Sequence, residues 1–271
     1  MKKKVVAIVQ MRSSEDKQEN LKKSVEFIGK AAGKGADLVC FPEFQMAFSP
    51  GSQSAGQLAR VAETIRGEFV TTLSRAAKKN GIGVVATIYE RANSPQRVYD
   101  TAVMISQIGS VSSVYRKLHL YDALGFKESD KLMRGKGIEK PVRTRAGSVG
   151  LMICYDLRFP EMSRILTVKG ADVLVAPSGW VAGEMKEEHW QTMIKARAIE
   201  NGSYVVAPDQ VGNIYCGRSM VVDPFGVVLL DMGQREGVEV VEIDKSRVQQ
   251  VRRSLPLLKN RRTDVYKLSH N

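Results

Sequence analysis

The chain predicts an α/β fold, and three features carry that prediction. Short β-branched apolar runs alternate with longer segments of helical period, glycine closes the main helical segments, and no repeat, low-complexity tract or convincing linker interrupts the alternation. Its 271 residues, 43% of them hydrophobic, suffice for a substantial core, so a single α/β domain over residues 1–271 is the economical expectation.

The elements follow in order. Residues 4–10 form a β-branched run, and 17–32 place Leu21, Val25, Ile28 and Ala32 at helical spacing before Gly33 and Gly35 stop the helix. A buried strand over 37–41 ends at Pro42-Glu43. A Ser/Gly-rich loop over 49–56 leads into a helix over 57–79, broken near Gly67 and closed by Asn80-Gly81. Residues 82–89 predict a third strand, and 100–106 with 111–115 predict a strand pair turning at Gly109 and ending at Arg116-Lys117. From 118 to 140 no period is sustained, and so long a loop in a compact domain is usually functional or disordered. The apolar run 149–153 reads as a buried strand that stops at Cys154, and Pro160-Glu161 opens a helix reaching 169. A strand over 172–176, a loop holding Trp180 and a helix over 184–200 come next. Short β runs at 204–207, 218–222, 227–230 and 238–243 close the body, and 245–254 is a short helix leading into an extended tail over the last residues of 245–271.

Composition narrows the class. The first apolar stretch, Val5 to Val9, is too short for a signal peptide or a membrane span. Three cysteines at unrelated spacings, Cys40, Cys154 and Cys216, argue against a disulfide framework and for a reducing cytoplasm. The net charge of +12 raises nucleic acid as a partner, but the densest basic zone, Lys245 to Arg262, has no interleaved aromatics and no nucleic-acid motif, so it reads as a solvated, partly ion-paired segment. Three scattered histidines match no metal-ligand spacing, the Gly-Lys-Gly triplets lack the P-loop pattern, and neither a metal nor a cofactor is expected.

Taken alone, Cys154 is a small buried hydrophobe or a residue at the chemically useful end of a strand. Glu43 and Lys117 share its local position, just after a strand-like run. If the three strands lie in one sheet and run the same way, a carboxylate, an ammonium and a thiol converge at one edge. That trio is complete for acyl transfer: a base takes the thiol proton and returns it to the leaving amine, and a cation stabilises thiolate and oxyanion, helped by the backbone N–H of Tyr155. His119, two residues beyond Lys117, is a competing base. Cys40 reads as core, and Cys216 sits in a loop where neither role can be chosen.

FPEF around Glu43, KLHL at Lys117 and ICYDLRFPE around Cys154 resemble, in order and separation, the three signature blocks of the nitrilase superfamily of carbon-nitrogen hydrolases. The resemblance extends over nearly the whole chain, through HWQTMIKARAIENGSYVVAPDQVG from His189, RSMVVDPFG from Arg218 and LPLLKNRRTDVY near the end. It implies a four-layer αββα sandwich, with Glu43 as general base, Lys117 as oxyanion stabiliser and Cys154 as nucleophile. It also implies a second glutamate near the lysine, for which Glu128 in FKESD is the candidate, although Lys127 and Asp130 give that stretch a solvated look. A homo-oligomer built from dimers is expected on the same ground.

The residues after the cysteine, Tyr155 to Phe159, resemble the Nit-type, omega-amidase-like branch, whose members hydrolyse the terminal amide of dicarboxylic acid monoamides. The expected activity is therefore amide hydrolysis through a Cys154 thioester, releasing ammonia and a carboxylate, with no nucleic acid or membrane partner. Arg158 is a candidate for the substrate's free carboxylate, or else a local partner of Asp156 or Glu161. Trp180 lies on one of the loops expected to shape the acyl pocket. The alternatives are an N-carbamoyl hydrolase or nitrilase on the same fold, a catalytically silent scaffold, and a basic nucleic-acid-binding protein.

Overall fold

The computed structural model describes residues 4–94 and 96–265. Its first half supplies strands β1 (Lys4–Gln10), β2 (Leu38–Cys40), β3 (Gly83–Arg91), β4 (Val98–Ile105) and β5 (Val111–Arg116), with helices α1 (Lys17–Gly33), α2 (Ala55–Val61) and α3 (Glu68–Asn80). The second half supplies β6 (Val142–Thr144), β7 (Gly147–Leu151), β8 (Val173–Val175), β9 (Tyr204–Ala207) and β10 (Val211–Gly212). It then adds β11 (Tyr215–Cys216), β12 (Met220–Val222), β13 (Val228–Asp231) and β14 (Gly237–Ile243), with helices α4 (Pro160–Val168), α5 (Lys186–Asn201) and α6 (Lys245–Ser254).

These strands form two six-stranded sheets, ordered β14-β1-β2-β3-β4-β5 and β13-β12-β9-β8-β7-β6, and a small β10-β11 ribbon. Side-chain alternation along β1 shows how the layers arise. Val6 and Ile8 pack with residues of the second sheet, such as Leu151 and Val175, whereas Ala7 and Val9 pack under Leu21, Phe27 and Ile28 of α1 and Phe69 and Leu73 of α3. Each sheet therefore has one face against the other sheet and one under helices, α4 and α5 covering the second. The result is the four-layer αββα sandwich. Each fully buried Leu or Phe of these layers contributes roughly 1.5–3 kcal/mol.

Local chemistry sets the helix ends. The Asp16 carboxylate accepts from the N–H groups of Gln18 and Glu19 at the start of α1, and Gly81, at φ +62°, closes α3 in the left-handed conformation. The helix expected over 57–79 is two helices, and the gap is wider than Gly67 alone. Glu63 leaves helical geometry because its backbone bonds to Tyr89 and Arg91 on β3, while its side chain accepts from Phe69 N–H at the head of α3. Strand β6 had no β-branched run to announce it; it forms because Val142 to Thr144 pair antiparallel with Val149 to Gly147. The basic C-terminal zone is partly ion-paired: Arg247 meets Asp223 at 2.9 Å and Arg252 meets Asp172 at 3.3 Å, tying α6 to the second sheet. His270 and the end of the expected tail lie outside the described residues.

One expectation needs correction. Glu43 and Lys117 do follow strands that run the same way in one sheet, because β2 is parallel to β3 and β5 is two antiparallel steps further on. Cys154 follows β7, which belongs to the other sheet. Alternating β and helical segments look identical whether the strands join one sheet or two, so the pattern carried no information on that division.

Candidate active site

Glu43 stands three residues beyond β2, where Phe44 adopts a left-handed φ of +58°, and its side chain is fully buried. Its backbone carbonyl accepts from Gln210 Nε2 at 2.8 Å, which fixes the turn. One carboxylate oxygen accepts from Lys117 Nζ at 2.7 Å and the other from Gly179 N–H at 2.7 Å. Position 179 has to be glycine for this approach: a Cβ there would lie 2.7 Å from the Phe44 ring and 2.9 Å from that of Tyr215.

Lys117 follows β5 directly, and its N–H donates to the Asp100 carbonyl at 2.9 Å. Its ammonium is fully buried and also bonds both oxygens of Glu128, at 2.9 and 2.8 Å. Burial works against the lysine's charge, but the anionic groups around it, Glu128 first and then Glu43, outweigh it and hold the pKa well above the usual lysine value. The solvated look of residues 127–130 thus misdescribes Glu128. Lys127 and Asp130 are exposed and paired with each other at 3.2 Å, while Glu128 turns inward and takes a further bond from Tyr121 N–H at 2.7 Å. Burial raises the Glu128 pKa, Lys117 opposes that, and Glu43 adds to it.

Cys154 opens a single turn of 3₁₀ helix, Cys154–Arg158, at a φ of +42° that non-glycine residues rarely adopt. Its N–H donates to the Pro177 carbonyl at 2.9 Å, and the residue lines the central cavity. The thiol is held well above the ordinary cysteine value, first by burial and then by Glu43, with Lys117 opposing. That direction favours the neutral thiol, so attack requires a neighbouring base to take its proton.

Two residues further on, the fully buried Asp156 joins the sheets. It accepts from Tyr115 O–H on β5 at 2.6 Å, from Ile153 N–H at 2.9 Å and from His119 N–H at 3.2 Å, and its Oδ1 lies 2.7 Å from His119 Nδ1. This arrangement sets the Lys117 end of the first sheet against the Cys154 end of the second. It also occupies His119, whose ring stacks on Phe159 at 3.7 Å and does not line the cavity.

The cavity is about 420 Å³, within the usual range for small-molecule sites, and Cys154, Tyr155, Glu128, Arg158 and Trp180 all line it. Arg158 does not pair with Asp156 or Glu161. Its guanidinium lies over the Trp180 ring at 4.7 Å, with His189 Nδ1 at 3.5 Å, and among the described residues no carboxylate is within ion-pair range. Lys186 lies close by in the same wall, donating to the Tyr121 phenol oxygen at 2.5 Å and, among the described residues, likewise without a carboxylate partner. Cys40 is in the core between the sheets, and Cys216 is buried with its S–H toward Asp209 at 3.5 Å.

Asp100, Asp156, Gly179 and Lys186 escaped the sequence reading. Asp156 had a signal, being part of the block around Cys154, and Gly179 and Lys186 lie in the 179–187 stretch, one of the loops expected to shape the acyl pocket, though nothing local announces what either will touch. Asp100 lies in an ordinary strand and had none.

Known proteins resemble this chain in sequence and in fold. A family model described as carbon-nitrogen hydrolase matches residues 5–253. Deaminated glutathione amidase of Escherichia coli O157:H7 is 36% identical over 245 residues, covering 90% of this chain and 92% of its own. Among solved structures, the NitFhit protein of C. elegans superposes with a TM-score of 0.91 at 32% identity, over 99% of this chain and 67% of its own. Nit3 of Saccharomyces cerevisiae, a member of branch 10 of the nitrilase superfamily, superposes with a TM-score of 0.84 at 30% identity, over 96% and 97%.

Proposed function

The chain belongs to the carbon-nitrogen hydrolase family, and from that premise we propose that it is a cysteine amidase cleaving the terminal amide of a dicarboxylic acid monoamide. The observation that carries this reading is the cavity itself. Cys154 and Glu128 stand in the same wall system as Arg158 and Lys186, two cations that no protein carboxylate neutralises among the described residues. An acyl group bearing its own carboxylate would complete them, Arg158 by a bidentate contact. The name of the relatives, deaminated glutathione amidase, supports an amide over a nitrile.

In this reading Glu43 takes the Cys154 proton as the sulfur attacks the amide carbon. The oxyanion is held by Lys117 and the Tyr155 N–H, a preorganised donor of this kind being worth roughly 3–4 kcal/mol. The tetrahedral adduct collapses, the C–N bond breaks, and the amine leaves with the proton that Glu43 returns. Water, deprotonated by Glu43 or Glu128, then attacks the thioester, the carboxylate product departs, and the proton goes back to sulfur. Trp180 supports Arg158 from below.

We also read the chain as one domain, cytoplasmic, and a homo-oligomer built from dimers. The three unpaired cysteines support the compartment, and exposed Ile165, Val168 and Ile199 on α4 and α5 support the assembly.

The deciding experiment measures ammonia and amine release over dicarboxylic monoamides, deaminated glutathione, neutral aliphatic amides, nitriles and N-carbamoyl compounds. Turnover of the carboxylate-bearing amides is expected. Activity confined to nitriles or N-carbamoyl compounds would sink the proposal.

A further inference from the structure

One carboxyl group in the buried cluster has no part in the chemistry above. Asp100 lies on β4 directly opposite Tyr89 on β3, and its carbonyl receives the Lys117 N–H, so strand pairing alone sets it beside the ammonium. Its side chain is 2% exposed. Oδ2 is 3.9 Å from Lys117 Nζ, too far for a hydrogen bond, because the ammonium is turned to Glu43 and Glu128. Among the described residues this oxygen has no donor, and the Asp100 carboxyl flanks the same ammonium that Glu43 contacts at 2.7 Å.

An ionised Asp100 would leave a buried anion without a donor and place three carboxylates around one ammonium. Both situations are costly, and like charges crowded around one ammonium favour a proton on one of them. One proton on Asp100 resolves them together: the O–H donates to Glu43, the orphaned oxygen is satisfied, and the cluster falls to two anions and one cation. The groups facing Asp100 are Tyr89 from β3, Glu43 after β2, Lys117 after β5 and Glu128 from the long loop. Burial and Glu43 push Asp100 well above the usual carboxylate range, Lys117 opposes, and contact with Glu43 and the charge of Glu128 add to the rise.

We propose that Asp100 is a positioning residue, a neutral carboxylic acid whose proton is donated to Glu43 throughout the cycle. It gives the Glu43 carboxylate a third donor beside Lys117 and Gly179, and so keeps the base aimed at Cys154. The functional half of this inference rests on the reading of Glu43 as the base; the protonation of Asp100 does not.

The test begins with the protein labelled with ¹³C at aspartate carboxyl carbons. At pH 7 a signal in the protonated range is expected that disappears in Asp100→Asn and persists in Asp209→Asn, the control for the other strongly shifted aspartate. Asp100→Asn keeps a neutral donor and Asp100→Leu does not. Loss of a hydrogen bond to a charged group predicts a kcat lower by about 10–100-fold in the leucine variant, only a few-fold lower in the asparagine variant, and KM little changed in both. The sign of the stability change is also fixed. A raised folded pKa makes folding retain a proton, so wild-type stability falls as pH rises above the unfolded value, near 4. The Tm of Asp100→Asn relative to wild type should therefore rise from pH 5 to pH 8.

If every aspartate carboxyl of Asp209→Asn titrates in the ordinary acidic range, or if asparagine is as damaging as leucine, the proposal is overturned. The first outcome decides even if Asp100→Asn does not fold. Turnover surviving in Glu43→Gln with the protonated Asp100 signal intact would remove the base assignment instead.

Discussion

The two halves of the site are built on opposite principles. Around Lys117 the charges are closely matched: Glu43 takes two bonds, Glu128 three, and Lys117 and Glu43 are fully buried. On the wall formed by Arg158, Lys186 and Trp180 the charge is left open, two cations held by rings and a phenol in place of carboxylates. The contrast teaches where fixity is needed. Groups that move protons lose their function if they wander, so they are over-determined, whereas groups that recognise a ligand must keep their bonding capacity for it.

The sharpest break falls on the closed half. Cys154→Ala should lower turnover on the order of 10⁴-fold or more with substrate binding retained, measured by product release and by binding of unreacted amide. Residual turnover near wild type would remove the nucleophile assignment. The closed half also sets the pH behaviour. Because burial and Glu43 raise the Cys154 pKa well above its usual value, alkylation by iodoacetamide in the absence of substrate should climb about tenfold per pH unit between pH 6 and 9. A plateau at neutral pH would mean a resting thiolate.

The open half should fail differently. Arg158→Gln and Lys186→Met should each raise KM for carboxylate-bearing amides by about 10–100-fold, the value of a charge-assisted hydrogen bond, and leave neutral amides nearly untouched. Equal losses on both substrate types would erase the division between the halves. The smallest effect belongs to the link between them: Tyr115→Phe removes one bond to Asp156 and should cost about 1–3 kcal/mol, read as a lower denaturant midpoint.

Much of this was legible in the chain. Strands ending at Glu43, Lys117 and Cys154 were visible because apolar runs stop abruptly there, and Lys245–Ser254 reads as a helix from period alone. Glu128 came from the family resemblance, against a local sequence that argues for solvent. The assignment of Cys154 to a second sheet was hidden, since strand pairing partners are not encoded in a period. Asp100 was hidden for a related reason. A lone acidic residue in a strand is unremarkable until β3 and β5 are known to flank it, and only then does its missing donor carry meaning. Gly179 and Lys186 are loop residues whose value depends entirely on what folds against them.

The Tyr115–Asp156 link has one more consequence. Since Glu43 and Cys154 belong to different layers, their separation is also a measure of how closely two slabs of apolar side chains are seated. Trimming two methyl groups between the sheets, as in Val85→Ala or Val175→Ala, touches no polar group of the site, yet it changes the spacing of the slabs. The rate constant then works as a gauge of interior packing, and hydrostatic pressure, which squeezes voids before it breaks hydrogen bonds, should move kcat well before it unfolds the chain.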